Sequence, residues 1–543
     1  MSPAFLFIFP HFTAYFVLKW GFAVRIQKKT ILYAAGVLAC GNIVLQALGF
    51  LYRVLLSHYA GAEGLGVYRL VHSVYLVCNA GCLSGITMAC SRLSAASEAR
   101  GERGKISMIL RLAFAVFFCA CLFCGACLLL GGKWIAADIL GDTRCARAFP
   151  FMLLCIALTG IENIFKSLFI GLERMQYAAT SEVCEQLIRI ATVWFLLYQY
   201  QGDDYGTIAM LIFAGMVISE VFSALFLSFL FRNWKTNGIK HAPLEQETVR
   251  QFFFIAFPVS ASALLGNAIS SAGSILLPKR LMVAGLSYEQ ALSTLGVLSG
   301  MAMPLLLLPI ALVSSVCTAL LPAVTGAQAT GNDKRVQALV GRAITTVGLI
   351  AVPATAVLIP LAPKLSVLFF GQPLSAPYVS LLGATAVVCY YQMASGSLLN
   401  ALGLQHWNVV ISVGAELCQV ILMYRWCAFP WLGIYGYLIA MLFTGIAAFT
   451  LNFMILYRKV GFSLRPLRRF GVPLLCGATL FFWTRIFNQM FSQICHSDIA
   501  ALVCTVGGVG ILYIVVLRLM GIRLFYYLSK RMEKPYLPRL HMW

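Results

Sequence analysis

The chain has 543 residues, of which 61% are hydrophobic and 11% are charged, and its formal net charge is +21. This composition excludes a soluble globular protein, because such domains carry about 25% charged residues. Apolar stretches recur along the whole chain at the length that crosses a bilayer, and the basic residues fall mostly in alternate loops between them. The positive charge therefore indicates membrane topology, and no nucleic-acid partner is predicted.

Residues 1–27 form an N-terminal extension before the first predicted span. The extension lacks the basic start and the small-residue cleavage site of a signal peptide. Pro3, Pro10 and Lys19 leave an apolar run shorter than a comfortable span. Two interpretations stay open: an interfacial helix, or a start upstream of the native one.

Fourteen transmembrane helices are predicted, so the expected class is an all-α integral membrane protein. Their approximate positions are 31–55, 66–90, 106–130, 148–171, 178–199, 207–231, 252–277, 291–318, 337–361, 376–401, 407–427, 431–456, 470–489 and 499–519. With this count every basic cluster falls on one side, and Asp138, Asp142, Asp203, Asp204 and Asp498 fall on the other. The positive-inside rule then predicts both termini on the cytoplasmic side of the cytoplasmic membrane.

A polar stripe runs along the first predicted helix. Asn42, Gln46, Gly49 and Arg53 are spaced four, three and four residues apart, which puts them on one helix face. A charge inside a bilayer costs roughly 2.5–3.5 kcal/mol on lenient scales, so such residues usually face a protein interior or a wet cavity. The stripe carries a cation and no acid, so it is predicted to form one wall of a site that binds an anion.

Arg69 and His72 lie three residues apart on the second helix and extend this basic face, or else anchor the helix at the interface. His72 is also a candidate proton carrier, because imidazole titrates near neutral pH.

Carboxylates within the predicted spans are few. Glu162 with Lys166, and Glu185 with Arg189, are predicted to pair, because each acid lies four residues before its cation on one helix. The remaining acids lack a partner on their own helices, so they either pair across helices or titrate as candidates for proton coupling: Glu182, Glu220 and Glu416.

The cysteine run at Cys121, Cys124 and Cys127 lies in an apolar span without His or carboxylate, and predicts no metal site. No catalytic residue and no cofactor are predicted.

An internal repeat divides the chain. Leu65-Gly66-Val67 recurs as Leu295-Gly296-Val297, and Gly171-Leu172 recurs as Gly403-Leu404. Six helices separate equivalent points, so the copies share an orientation and are expected to be related by a pseudo-two-fold axis along the membrane normal. The predicted parts are an N-lobe (28–235), a C-lobe (236–459), two further helices (460–522) and a basic cytoplasmic tail (523–543).

The first helix of the second copy repeats the polar stripe. It carries Asn267, Ser270 or Ser271, and Ser274, followed by the cations Lys279 and Arg280. Two such faces predict a central cavity, although both cations are equally consistent with snorkelling at the outer interface. Prolines are expected to interrupt the eighth helix, at Pro304, Pro309 and Pro322, and the ninth, at Pro353, Pro360 and Pro363.

The runs LGFLYRVLLSHYAGAEGLGVY and SGITMACSRLSAASEARG resemble the first two helices of the stage V sporulation protein B and polysaccharide exporter family. The run LLPKRLMVAGLSYEQALSTLGVLSGMAMPLLLLPIALVSSVCTALLPAV resembles its seventh and eighth helices. This family belongs to the multidrug/oligosaccharidyl-lipid/polysaccharide flippase superfamily, which includes the lipid II flippases. The resemblance covers residues from about 28 to 530, and it implies a two-lobed, V-shaped transporter with alternating access.

The resemblance also implies a substrate and a site. The substrate class is a lipid-linked sugar or peptidoglycan precursor, moved from the cytoplasmic to the outer leaflet. In lipid II flippases, arginines of the first helix and of the seventh–eighth region line an anion-binding cavity. Arg53 matches the first of these regions, and Lys279 and Arg280 match the second. Where that family has an earlier arginine in helix one, this chain has Gln46.

The predicted function is a flippase, with lipid-linked oligosaccharide or lipid II, membrane lipids and cell-wall synthesis proteins as partners. The alternative is a cation-coupled multidrug extruder of the same fold, for which Glu182 and Glu416 are the supporting acids. A membrane enzyme is disfavoured, because the outer loops are short and lack paired acids or metal-ligand spacing.

Overall fold

A computed structural model of the protein describes residues 31–200, 202–235, 245–461, 467–495 and 497–520. Across these ranges the chain is helical and forms no strand. The predicted N-terminal extension (1–27) and the basic tail (523–543) lie outside the described residues.

The first helix, α1 (Ile31–Ala99), holds two of the predicted spans in one continuous element. It breaks at Gly61, where φ is 65° and ψ is −175°, a conformation that glycine adopts without the steric cost of a Cβ atom. We call the part before Gly61 the first arm and the part after it the second arm. The following helices are α2 (Arg103–Trp134), α3 (Phe149–Gly171), α4 (Met175–Gln199), α5 (Tyr205–Lys235) and α6 (Gln246–Val283).

The eighth predicted span is divided among three consecutive helices. These are α7 (Tyr288–Gly296), α8 (Met303–Leu306) and α9 (Ile310–Ala329), with a π-helical turn (Val297–Ala302) between the first two. The remaining helices are α10 (Asp333–Phe370), α11 (Ala376–Ala401), α12 (Gln405–Trp426), α13 (Ile434–Val460), α14 (Val472–Ile494) and α15 (Asp498–Leu519).

Eleven helical segments of the described chain are long and apolar enough to cross a membrane, and one of them, Val44–Ala99, contains both arms of α1. The predicted all-α membrane class is therefore confirmed. The helices form two compact units. Of the described residues, unit 1 contains those up to Leu55 together with Val67–Ile275, and unit 2 contains Leu56–Gly66 and those from Leu276 onwards.

Within unit 1, α6 packs closely against the second arm of α1. A Cβ atom on Gly85 would lie 1.9 Å from the Ala256 carbonyl oxygen, so only a glycine permits this approach. The Gly85 amide donates to Ser260 Oγ at 3.1 Å, and Ser271 Oγ donates to the Ser73 carbonyl at 2.9 Å. Small residues and interhelical hydrogen bonds of this kind hold helices together in membranes, where the hydrophobic effect cannot.

Within unit 2, the two repeated glycines lie at one helix crossing. A Cβ atom on Gly296 would lie 1.8 Å from the Ala62 carbonyl oxygen, and one on Gly66 would lie 2.3 Å from the Leu292 carbonyl oxygen. The repeated Leu-Gly-Val sequence thus marks the point where the start of the second arm of α1 meets α7.

The interruption predicted at Pro309 is present, at Leu307–Pro309, whereas Pro304 lies within the first turn of α8. The Leu306 carbonyl there accepts a hydrogen bond from the buried Tyr390 hydroxyl at 2.8 Å, which satisfies a backbone group inside the unit.

The interruptions predicted at Pro322, Pro353, Pro360 and Pro363 are wrong, because α9 and α10 continue through these prolines. At Pro353 the physical reason is visible. Proline cannot donate to the carbonyl four residues earlier, which is that of Leu349. The Tyr513 hydroxyl donates to that carbonyl instead, so the helix continues without a buried unpaired acceptor.

Candidate functional site

The polar stripe of the first arm of α1 is solvent-accessible in unit 1. Gln46 and Arg53 are both exposed and lie seven residues apart, which is about two turns and therefore the same face. Asn42 lies in the same helix, but its side chain is outside the described part.

The second arm continues the basic face with Arg69 and His72. Arg69 Nη2 donates to Ser274 Oγ of α6 at 3.3 Å. The His72 ring lies between those of Tyr68 and Tyr75, with a centroid separation of 5.5 Å to each. Arg69 Nε and His72 Nδ1 are buried without a hydrogen-bond partner, so both retain capacity to bind a ligand.

Positive charge is concentrated on this face. Arg53 and Arg69 lie close enough to interact electrostatically, and Tyr68 is near both. Among the described residues, no carboxylate forms an ion pair with Arg53 or Arg69. Two like charges near each other without an acid favour the binding of an anion, because a counter-charge lowers their mutual repulsion.

The polar stripe of α6 supplies hydroxyls to the same region. Ser274 meets Arg69, Ser270 is exposed, and Ser271 is buried against the second arm of α1. The half-buried Asn267 donates to the Ala263 carbonyl of its own helix at 2.9 Å, which leaves its side-chain oxygen as an acceptor.

Lys279 and Arg280 belong to unit 2. Arg280 Nε donates to the Tyr424 carbonyl at 2.9 Å, and its guanidinium lies 4.0 Å from the centroid of the Tyr424 ring. This cation–π contact holds Arg280 at the end of α12. Lys279 is half-buried.

A second group of polar side chains is buried in unit 1 where α3, α4 and α5 meet. The predicted pairs Glu162–Lys166 and Glu185–Arg189 are both present as ion pairs, which confirms them. The structure joins the two pairs into one network, because Lys166 Nζ also lies 3.2 Å from Glu185 Oε2. Arg189 Nη2 lies 3.1 Å from Glu220 Oε1 on α5, so Glu220 pairs across helices. We call these five residues the ionic cluster.

The ionic cluster contains more acid than base. Three carboxylates, of Glu162, Glu185 and Glu220, face two cations, so full ionisation leaves one negative charge in excess. Ligand atoms of the three carboxylates all lie within 4.8 Å of one another, and Glu220 Oε2 is buried without a hydrogen-bond partner. Burying an uncompensated charge is costly, and one added proton makes the cluster neutral.

A hydrogen bond links the basic face to the helix that carries Glu162. The Tyr75 hydroxyl lies 3.2 Å from Thr159 Oγ1, and Thr159 is one turn before Glu162 on α3. Both groups therefore lie within unit 1, where α3 contacts α1 beside the basic face and also carries Glu162.

The other predicted coupling acids lie outside this cluster. Glu182 is about half exposed, 3.8 Å from Lys166, and Glu416 is half-buried on α12 in unit 2. Spacing along one helix revealed the two pairs but not the network, because the contacts of Glu220 cross from α5 to α4. The one available signal was that Glu220 is an acid in an apolar span.

The profile of a family described as "Polysaccharide biosynthesis protein" matches residues 31–328. The chain is 26% identical over 434 residues to the stage V sporulation protein B of Bacillus subtilis (strain 168), covering 78% of this chain and 83% of that protein. It is 21% identical over 482 residues to the lipid II flippase MurJ of the same organism, covering 83% and 86% of the two chains.

Two solved structures share the fold. A lipid II flippase MurJ in an inward closed conformation aligns with a TM-score of 0.67 at 15% identity, covering 90% of this chain and 99% of that chain. An inward-facing multidrug resistance transporter of the MATE family aligns with a TM-score of 0.64 at 15% identity, covering 77% and 94%. The fold is therefore that of multi-pass membrane transporters of the MOP superfamily.

Proposed function

The chain belongs to the polysaccharide biosynthesis protein family of membrane flippases and exporters, and from that premise we propose that it moves an undecaprenyl-pyrophosphate-linked sugar or peptidoglycan precursor. Transport runs from the cytoplasmic to the outer leaflet by alternating access. The observation that carries the proposal is the basic face of α1, where Arg53 and Arg69 have no acidic partner within the described chain.

The chemistry of this face fits a pyrophosphate. A guanidinium presents a planar fork of donors that matches phosphate oxygens, and a second cation nearby suits a ligand with two phosphoryl groups. The hydroxyls of Ser270 and Ser274 and the amides of Gln46 and Asn267 offer further hydrogen bonds. Asn42 and His72 complete the proposed substrate-binding residues of unit 1, and Lys279 and Arg280 are the candidates in unit 2.

The alternative, a cation-coupled multidrug extruder, requires acids where an organic cation binds. The charge at this face is positive, which disfavours that substrate class. Family relatives named for sporulation and for lipid II support a role in cell-wall or polysaccharide assembly. We place the protein in the bacterial cytoplasmic membrane with both termini inside, working with cell-wall synthesis proteins.

For coupling, we propose that the ionic cluster binds and releases one proton during the transport cycle. The carboxylates Glu162, Glu185 and Glu220, with Glu182 at the edge, surround Lys166 and Arg189, so a proton is gained or lost among opposing charges. Glu416 is a further candidate, in unit 2.

The test is movement of a fluorescent undecaprenyl-pyrophosphate disaccharide between leaflets of proteoliposomes. Wild-type protein should move it, and Arg53→Ala should lower the rate by about 10–100-fold, the equivalent of one lost charged hydrogen-bonding group. Arg53→Lys should retain part of the activity, because it keeps the charge but not the fork.

The matched control is Arg100→Ala, since Arg100 is exposed in the turn after α1 and lies outside the basic face. Equal losses in both variants, or full activity of Arg53→Ala, would contradict the proposed site. Transport of a cationic dye in place of the lipid would establish the alternative function.

A further inference from the structure

A cavity of about 450 Å³ lies within unit 2 between α11 and α12. This volume is in the range of small-molecule sites, about 300–1,000 Å³. None of its lining residues belongs to the basic face of α1 or to the ionic cluster. Its lining consists of Cys389, Gln392, Met393, Gly396, Ser397, Asn400, Asn408 and Ser412.

The lining is polar but uncharged. Three amides and two hydroxyls face the cavity, and none of its described lining residues carries a charge. Polar side chains within spans usually face a cavity or a protein interior, because lipid cannot hydrogen-bond them. This set of donors and acceptors suits a neutral polyhydroxylated ligand and offers no counter-ion for a phosphate.

The amides are arranged by the local packing of the two helices. Asn408 Nδ2 donates to Asn400 Oδ1 at 3.2 Å, which joins α12 to the end of α11. A Cβ atom on Gly396 would lie 2.6 Å from Asn408 Oδ1, so glycine makes room for that side chain. The pair still has free capacity, because each primary amide offers two donors and two acceptor lone pairs.

In the first copy of the repeat, the positions that correspond to the α11 wall of the cavity carry apolar side chains, whereas those that correspond to Asn408 and Ser412 of α12 are Gln176 and Thr180. Positions 232 residues before Gly396, Ser397 and Asn400 are Ile164, Phe165 and Leu168, and all three are buried. The helical framework therefore does not require polar residues on the α11 wall, and the presence of Ser397 and Asn400 there needs another explanation.

We propose that this cavity is a subsite for the neutral sugar rings of the transported lipid-linked glycan. The inference rests on the proposed function. Sugar hydroxyls and N-acetyl groups both donate and accept, as amides and serines do. The predicted topology puts the α11–α12 turn at the cytoplasmic face, where such precursors are loaded. Gln392 lies eleven residues before Gly403, so the cavity extends about 16 Å from that turn.

Cys389 in the cavity wall provides a direct readout of occupancy. In the purified full-length protein, modification of Cys389 by N-ethylmaleimide is followed by peptide mass spectrometry. The two probes are undecaprenyl-pyrophosphate-linked N-acetylglucosaminyl disaccharide and sugar-free undecaprenyl pyrophosphate, each at saturation. We expect the sugar-bearing probe alone to slow modification about tenfold, while Cys495, between α14 and α15, reacts equally throughout.

Substitution of the amides then tests the contacts. Asn408→Leu and Asn400→Leu should weaken binding of the sugar-bearing probe about tenfold and leave the sugar-free probe unchanged. Ser412→Ala provides a milder change if the leucine variants fail to fold, with a threefold loss expected. Ser380→Ala, on α11 outside the cavity, should behave as wild type.

The outcomes separate this inference from the proposed function. Equal protection of Cys389 by both probes, or none by either, with normal leaflet movement, would overturn the glycan subsite and leave the flippase intact. The proposed function is supported if Arg53→Ala loses binding of both probes. The glycan subsite is supported if Asn408→Leu loses binding of the sugar-bearing probe alone.

Discussion

Two parts of the molecule that are related by the internal repeat build their interiors differently. In unit 1, α3, α4 and α5 enclose the ionic cluster, whereas in unit 2 the corresponding positions of α11, α12 and α13 carry neutral side chains, of which Leu417 and Ile421 on α12 are exposed. The five residues that lie 232 positions after Glu162, Lys166, Glu185, Arg189 and Glu220 are Ala394, Leu398, Leu417, Ile421 and Asn452.

The neutral version keeps one buried polar side chain, that of Asn452, whose Oδ1 has no hydrogen-bond partner. Asn452 is fully buried, and its Nδ2 lies 3.5 Å from the buried Ser395 Oγ. Replacing a buried ion network with apolar residues is often neutral or stabilising, so we expect unit 1 to fold without these charges. The difference therefore favours a role in transport for the charged version, and it can be tested by exchanging residues between the copies.

The largest loss should come from removing the central carboxylate of the ionic cluster. Glu185 contacts both Lys166 and Arg189, so Glu185→Leu removes one charged contact from each buried cation and leaves Lys166 with Glu162 and Arg189 with Glu220. We expect a decrease of roughly 3–5 kcal/mol in the free energy of unfolding. Denaturation of the detergent-solubilised protein measures it.

Glu182→Leu serves as the control, because this acid is about half exposed and 3.8 Å from Lys166. The free energy of unfolding of this variant should fall by less than about 1 kcal/mol. A similar small loss for Glu185→Leu would mean that the cluster is not a coupled network.

The reciprocal exchange places an acid in the neutral interior. Asn452→Glu buries a carboxylate where the counterparts of the two cations are Leu398 and Ile421. We expect the free energy of unfolding to fall by roughly 2 kcal/mol at pH 8. The loss should shrink at pH 5, because protonation removes the unpaired charge. Asn452→Leu, which lacks an ionisable group, should show no such pH dependence.

How far the sequence predicts this molecule depends on the range of the interactions. Hydropathy and charge asymmetry predict the helices, because each span satisfies its own backbone, and spacing along one helix predicts Glu162–Lys166 and Glu185–Arg189. The partner of Glu220 was not predictable in this way, because its contact with Arg189 crosses between helices. The break at Gly61, within the sequence GAEGLG, could not be predicted from the hydropathy pattern.

The effect of the prolines also depends on contacts between residues that are distant in sequence. A proline removes one hydrogen bond locally, so interruptions were expected throughout the eighth and ninth spans. Whether the helix continues depends on a group far away in sequence. At Leu349 the Tyr513 hydroxyl replaces the missing donor, and at Leu306 the Tyr390 hydroxyl caps a true interruption. Neither tyrosine is identifiable from the local pattern.

A smaller stability effect is expected where an exchange restores charge balance. Glu220→Gln leaves two acids facing two cations, so the unfolding free energy should fall by about 1 kcal/mol, the value of a hydrogen bond. Transport should lose its dependence on a proton gradient, because no excess charge requires a proton. Measuring flipping at several gradients against Glu182→Gln checks this. A Glu220→Gln variant that still responds to the gradient would exclude the cluster as the coupling site.

The smallest stability effect should follow from converting the whole ionic cluster to its neutral counterpart. The variant carries Glu162→Ala, Lys166→Leu, Glu185→Leu, Arg189→Ile and Glu220→Asn together. Because no charge is left unpaired, its unfolding free energy should lie within about 1 kcal/mol of wild type, although Glu185→Leu alone is severe. Binding of the lipid-linked disaccharide at Arg53 should persist, while a proton gradient should no longer accelerate flipping. An unfolded five-residue variant would contradict this expectation and would show that the charges are required to fold unit 1.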